Sequence, residues 1–205
     1  MGSKERKDRE REELRKLILK EATRMFLAEG YEKTSMRKIA SSIEYSVGTL
    51  YLYFKNKDEL FYEVQEVAFV HMLNYMKPLL DIQHPIERLR KIGETYVFFA
   101  LQNPEYYDLM FIMDAPMNAL EEIKEWSTGK KAYCILEQTV EECIEKGYFK
   151  YKDVKALSLM FWSNVHGMVA LKTKGRIDVI EAEGLESLMR RTHDMLLDAV
   201  MIDSH

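Results

Sequence analysis

Apolar residues recur along this chain at spacings of three and four almost everywhere, and the strict alternation of a half-buried strand does not repeat. The pattern predicts an all-α fold. Leu14, Ile18, Ala22, Met25 and Phe26 line one face of a first helix, which Gly30 is expected to end as a left-handed cap. A short second helix is expected to start at Thr34-Ser35, whose hydroxyls can cap it, with Ile39 and Ala40 facing inward. Ser46 caps a third helix, from Val47 to the neighbourhood of Phe54. Asn56-Lys57-Asp58-Glu59 contains an Asn-x-x-Glu capping box, which opens a long fourth helix toward Lys77-Pro78. Breaks at Pro85, Asn103-Pro104, Ala115-Pro116, Gly129, Gly147 and Gly175 then give about five further helices.

No Pro/Gly/Ser-rich linker separates a head from a body, so the boundary is expected inside the fourth helix, with residues 1–57 as the head and 58–205 as the body. Within the head, residues 35–54 have the dimensions of a helix-turn-helix, whose second helix enters the major groove of DNA. Ala40 is small where the two helices cross, and Ile39, Leu50 and Phe54 fall inward at helical spacing. Val47, Gly48, Thr49, Tyr51 and Tyr53 are left at or near the outer surface. Glycine costs about 1 kcal/mol against alanine inside a helix, so Gly48 suggests that something must approach the backbone closely. The two tyrosines offer rings for packing or thymine contact and hydroxyls for phosphate, although outward tyrosines also mark protein interfaces. Arg37 can reach a base edge or a phosphate from the first turn of the second helix. Lys57, at the positive end of the fourth helix, makes an anion site.

Charge changes the picture. The whole chain carries −4, which argues against a nucleic-acid binder, but residues 1–57 carry +5 and residues 58–205 carry −9. One end can meet phosphates while the other repels them. The two cysteines, Cys134 and Cys143, are nine residues apart and point to opposite faces of a shared helix, so they are expected to be reduced, small hydrophobes of a cytoplasmic protein. No apolar run reaches membrane-spanning length, and the charges that follow Met1-Gly2-Ser3-Lys4 exclude a signal peptide; no membrane partner is expected.

The stretch Thr34-Ser35-Met36-Arg37-Lys38-Ile39-Ala40, followed by Ser46 to Leu60, resembles the DNA-binding head of TetR/AcrR-type repressors. That family's signature ends in G-T-L-Y-x-Y-F-x-x-K-x-x-L, and every fixed position is matched from Gly48 to Leu60. The resemblance implies phosphate contacts from Ser35, Thr49, Tyr51, Tyr53 and Lys57, and base contacts from Arg37, Val47 and also Thr49. It implies a homodimer on double-stranded DNA with a palindromic operator. One departure stands out: the family's turn usually reads A-G-V-S, whereas Ile43-Glu44-Tyr45-Ser46 stands here, so Glu44 is expected to take the positive φ of the missing glycine.

In the body, Val154, Leu157, Phe161, Val165 and Met168 form one stripe, while Ala156, Met160, Ser163, Gly167 and Ala170 form a second, mostly small one. Leu185, Leu188, Thr192, Met195 and Ala199 repeat the spacing on the final helix. Two such helices per chain, doubled by a twofold axis, make a four-helix bundle, so Met160, Ser163, Gly167, Ala170, Leu188, Thr192, Met195 and Ala199 are dimer-interface candidates. An intramolecular hairpin in the core is the alternative. Trp162-x-x-x-His166-Gly167 looks like the W-x-x-x-H-G motif of one branch of these repressors' ligand domains, although a histidine so placed is more often a hydrogen-bonded core residue. The middle of the chain is rich in soft and aromatic side chains. Most are ordinary core, but the resemblance implies a pocket for an apolar or planar effector, with Phe99, Tyr106, Tyr107, Met110, Phe111, Met113, Trp126, Tyr133, Trp162 and His166 as candidates.

No cofactor or metal is expected, since His71, His84, His166 and His193 show no ligand-like pairing. Enzyme signatures such as G-x-S-x-G, H-E-x-x-H, a P-loop or C-x-x-C are absent. The expected function is a transcriptional repressor released from its operator by a small molecule. An activator of the same fold and a helical protein-interaction scaffold remain as rivals.

Overall fold

The computed structural model describes residues 3–113, 127–179 and 184–202. Nine α-helices occur among them: α1 (Ser3–Lys33), α2 (Met36–Ser42), α3 (Val47–Tyr51), α4 (Lys57–Met76), α5 (Pro85–Gln102), α6 (Pro104–Tyr107), α7 (Ser127–Glu145), α8 (Val154–Thr173) and α9 (Leu185–Val200). The one extended pairing among the described residues is an isolated antiparallel bridge between Phe149 and Met201. The all-α expectation holds.

Contacts divide the chain into two compact units. One contains the described residues up to Phe69 together with Glu105 to Met113 and Ser127, and the other the described residues from Val70 to Pro104 and from Thr128 onward. The division falls inside α4, twelve residues beyond the boundary at 57/58 read from the sequence, and the first unit takes in α6 from Glu105 as well.

The first unit is built around a small aromatic core. Ile18, Ala22, Met25 and Phe26 of α1, Ile39 and Ala40 of α2, Leu50 of α3, Phe54, and Leu60, Phe61 and Val64 of α4 are all buried. The Phe26 and Phe61 rings meet edge to face at 5.0 Å, and Phe61 meets Tyr31 the same way at 5.0 Å. Each buried phenyl contributes about 1.5–3 kcal/mol, enough to hold short helices whose own propensity is marginal.

Four local expectations are corrected. Gly30 does have a positive φ of 80°, but its ψ of 171° is not that of a left-handed cap, and helical structure resumes for one more turn to Lys33. Thr34 does not cap α2: its buried hydroxyl donates to the Gly30 carbonyl at 2.8 Å, and Ser35 alone accepts from the Lys38 N–H. The third helix ends at Tyr51, short of Phe54. Gly129 interrupts nothing, since it lies within α7, where the surrounding residues carry the helix through.

In the second unit α5 packs against α8 and α9, and α9 against α8. Leu157, Phe161, Val165 and Met168 are the buried stripe of α8; Met189, His193, Leu197 and Val200 are that of α9. Arg88 ties α5 to α7, with Nε donating to Thr139 Oγ1 at 3.2 Å and Nη2 paired with Glu142. The Lys146 and Arg88 donors together hold the Glu142 carboxyl below its ordinary range. Of the cysteines, Cys143 is fully buried and its thiol is pushed up to about 12 by burial, whereas Cys134 is half-buried.

Candidate nucleic-acid interface

The head presents α2, a four-residue turn and α3 in sequence, with both short helices started by serine. The Ser35 hydroxyl accepts from Lys38 N–H at 3.2 Å, and Ser46 Oγ accepts from Thr49 N–H at 3.1 Å. Each satisfies one of the orphan donors of a helix start. In the turn, Glu44 adopts φ 61°, and it is the one non-glycine with positive φ among the described residues. The geometry of the usual glycine is kept, and the strain is accepted.

Arg37, Gly48 and Tyr51 are exposed, and Val47 and Thr49 are half-buried. Arg37 and Tyr51 make no hydrogen bond or ion pair among the described residues, so their polar groups are available to a partner. Thr49 shares its hydroxyl with Ser46 Oγ at 2.9 Å. A Cβ built on Gly48 would meet only Ser46 Oγ, at an ordinary 3.6 Å. Nothing among the described residues demands glycine there. Tyr53 is half-buried, with the Arg11 guanidinium lying over its ring at 5.9 Å.

Lys57 departs from its expected posture. It opens α4, but its ammonium donates to the Tyr31 carbonyl at 3.1 Å and sits 3.7 Å from the centroid of the Tyr31 ring. The Tyr31 hydroxyl in turn donates to Asp58, and burial with that carboxylate raises the phenol well above its ordinary range. The α4 start is further fixed by a box: Asn56 Oδ1 accepts from Glu59 N–H at 2.8 Å, and the Glu59 carboxylate accepts from Lys55 N–H.

The pocket candidates are divided between the units. Tyr107 and Met110 are buried in the first, where the Tyr107 and Phe111 rings lie 5.4 Å apart and burial pushes the Tyr107 phenol up to about 12; Tyr106, Phe111 and Met113 of that unit are half-buried. Phe99, Tyr133, Trp162 and His166 belong to the second. There Tyr96 OH hydrogen-bonds His166 Nδ1 at 2.9 Å, Trp162 packs against His166 at 5.9 Å, and Tyr133 meets Trp162 at 5.6 Å. Burial holds the His166 imidazole below its ordinary range. Phe99 packs instead on His71 and Tyr75. Trp126 lies outside the described residues. Tyr96, the partner of His166, stands in the soft aromatic run of the sequence but not among its pocket candidates.

Among the interface candidates, Ser163, Met195 and Ala199 are exposed, and Met160, Gly167, Ala170, Leu188 and Thr192 are half-buried. Met195 is 71% exposed, unusual for a large apolar side chain. No described residues form a metal-binding group, and no described helix is long and apolar enough to cross a membrane.

A helix-turn-helix head continued by a helical domain is the architecture of a bacterial regulatory protein, and comparison with known proteins names the class. Residues 18–64 match the family "Bacterial regulatory proteins, tetR family", and residues 89–196 match "Tetracyclin repressor-like, C-terminal domain". The chain belongs to the TetR family. It is 31% identical over 93 residues to an HTH-type transcriptional regulator of Haemophilus influenzae, a match covering 45% of this chain and 50% of that protein. It is 42% identical over 67 residues to the regulator YhgD of Bacillus subtilis, covering 33% of each. These matches therefore span half or less of the length of the curated relatives. Among solved structures, the regulator FadR of Bacillus subtilis in complex with stearoyl-CoA superposes with a TM-score of 0.70 at 18% identity, covering 90% of this chain and 98% of that one.

Proposed function

We propose that this protein is a dimeric, sequence-specific DNA-binding repressor whose α3 reads the major groove and which leaves its operator when a small, mainly apolar effector binds the C-terminal domain. The observation that carries this reading is Gly48: an exposed glycine near the start of α3, with room for a side chain, in a head where Arg37 and Tyr51 are also exposed and unengaged among the described residues. A bare backbone costs helix stability and is useful where another surface comes close. Ser35, Val47, Thr49, Tyr53 and Lys57 of the same head offer hydroxyls and a cation suited to phosphate.

Dimerisation through the open stripes of α8 and α9 gives each operator half-site its own reading helix. A separation near 34–36 Å matches successive major grooves. An effector acts by binding one arrangement of the two heads better than another, so it shifts the balance by its difference in affinity alone. The aromatic group of Tyr96, Tyr133, Trp162 and His166 suits a planar or apolar body with one hydrogen-bonding group. The stearoyl-CoA held by the Bacillus subtilis FadR supports a long-chain effector of that kind.

Selection of bound duplexes from random DNA tests the proposal. A palindromic site is expected, with affinity falling steeply as salt rises. Arg37→Ala and Tyr51→Ala are expected to lose operator binding with an unchanged thermal melt. Binding to no duplex, or affinity indifferent to salt, overturns it.

A further inference from the structure

α1 continues well upstream of the family's head. The matched region begins at residue 18, whereas α1 begins at Ser3, so about four turns precede it. Those turns hold no core: every residue from Lys4 to Glu13 is exposed. They are supported by ion pairs one turn apart, Arg6 with Glu10 at 3.2 Å and Lys16 with Glu12 at 3.7 Å. A helix kept outside the core has its use on its surface.

That surface is not uniform. Lys4, Lys7 and Arg11 share one face by their spacing of three and four. Lys7 and Arg11, with Leu14 and Glu10, whose carboxylate is held by Arg6, border a cleft against Tyr45, Leu52 and Tyr53 of the helix-turn-helix region, and Arg11 lies over the Tyr53 ring. Of the other basic residues of α1, Arg6, Arg15, Lys16 and Arg24 each hold a carboxylate, while Arg9, Lys20 and Lys33 do not border this cleft. Among the described residues, Lys4, Lys7 and Arg11 hold none. A guanidinium stacked on a ring keeps its edge N–H groups free to fork onto a phosphate.

We propose that the Lys4-Lys7-Arg11 face of α1 is a second DNA-contacting element, which grips the sugar-phosphate chain beside the segment read by α3. It rests on the DNA-binding reading above. Positive charge without partners, continuous with Tyr53 of the reading surface, selects a polyanion over an apolar or basic partner. The contact carries no base information, so it adds affinity and leaves sequence preference alone.

The test measures affinity of the full chain for the selected duplex, once with ten flanking base pairs on each side and once trimmed to the site, across a salt series. Lys7→Ala with Arg11→Ala removes four contacts from a dimer. On the long duplex the expected result is at least about tenfold weaker binding near 0.1 M salt, with a slope shallower by about three to four. On the trimmed duplex, variant and wild type should differ less than twofold. Arg9→Ala, on the opposite face of α1, should leave both duplexes unaffected. An unchanged slope on the long duplex, an equal loss on both duplexes, or an equal loss from Arg9→Ala overturns the proposal. If Arg37→Ala abolishes binding while Lys7 and Arg11 prove dispensable, only this second element falls. A wild type that binds no duplex removes both.

Discussion

Gly93 of α5 lies against the imidazole of His193 on α9: a Cβ built at position 93 would sit 2.4 Å from Nε2 and 2.6 Å from Cε1. Real Cβ atoms do not approach that closely, so the two helices meet here only because position 93 has no side chain. His193 is 4% exposed, and among the described residues neither ring nitrogen has a well-formed hydrogen bond, the Leu89 backbone being the polar group that comes near.

Gly93→Ala is therefore expected to destabilise the second unit, by about 1–3 kcal/mol for an overpacked contact. Denaturant melts check this. The loss should shrink when His193→Ala is added, since the second change removes the obstacle; additive losses from the pair would contradict the wedge.

The same burial gives His193 a pH signature. Desolvation holds its imidazole below the ordinary 6.5; Asp194, the Leu89 backbone and Glu94 oppose the shift, while Arg90 reinforces it. The Phe161 ring faces it from α8 at 6.0 Å and carries no charge. Above 6.5 the histidine is neutral in both folded and unfolded chains and contributes no pH dependence. Below 6.5 the unfolded chain takes up a proton that the folded one refuses, so stability falls as the pH drops toward the folded value. His166, shifted the same way, adds to the slope. Urea midpoints between pH 7.5 and 5.5 should decline, and His193→Gln should flatten part of the decline; an unchanged slope would speak against this assignment.

Gly48→Ala separates folding from recognition. The added methyl meets only Ser46 Oγ at 3.6 Å, so α3 should gain up to about 1 kcal/mol from better helix propensity. DNA affinity should fall at the same time. A variant that is more stable and binds as tightly as before would remove the reason offered for the glycine.

Glu44→Gly should raise the melting midpoint of the head, because φ 61° costs an L-residue roughly 1–2 kcal/mol, partly offset by the freer unfolded glycine. A lower midpoint would show that the Glu44 side chain makes a compensating contact.

Met195→Asp places a charge on the open stripe of α9 without touching the core. Sedimentation should report a monomer with an intact melt. Persistence of a dimer would move the seam elsewhere.

Much of the head is legible in the sequence because its determinants are local. Ser35 and Ser46 each cap a backbone N–H three residues further on, Asn56 and Glu59 close a box within one turn, and Glu44 replaces a glycine at a known place in a short turn. The buried stripe of α8 comes from spacing, whereas on α9 the buried residues are Met189, His193, Leu197 and Val200 rather than the spaced set read from the sequence. The features that are not legible depend on distance. Nothing in the neighbourhood of Lys57 tells that a residue 26 positions earlier will hold its ammonium, nor does composition divide the soft aromatic residues between two units. The upstream turns of α1 are silent because apolar periodicity starts only at Leu14, and a helix stabilised by charge pairs lacks that signal. Gly93 carries no signal in the sequence, and its reason lies in His193, a hundred positions further on, packed against it.

The Tyr31 corner has one more implication. An ammonium already resting on a carbonyl and a ring is a guarded cation: a passing phosphate must displace both before it gains anything. The same corner fastens the start of α4 to the end of α1, so a change at either Tyr31 or Lys57 should be felt at both helices.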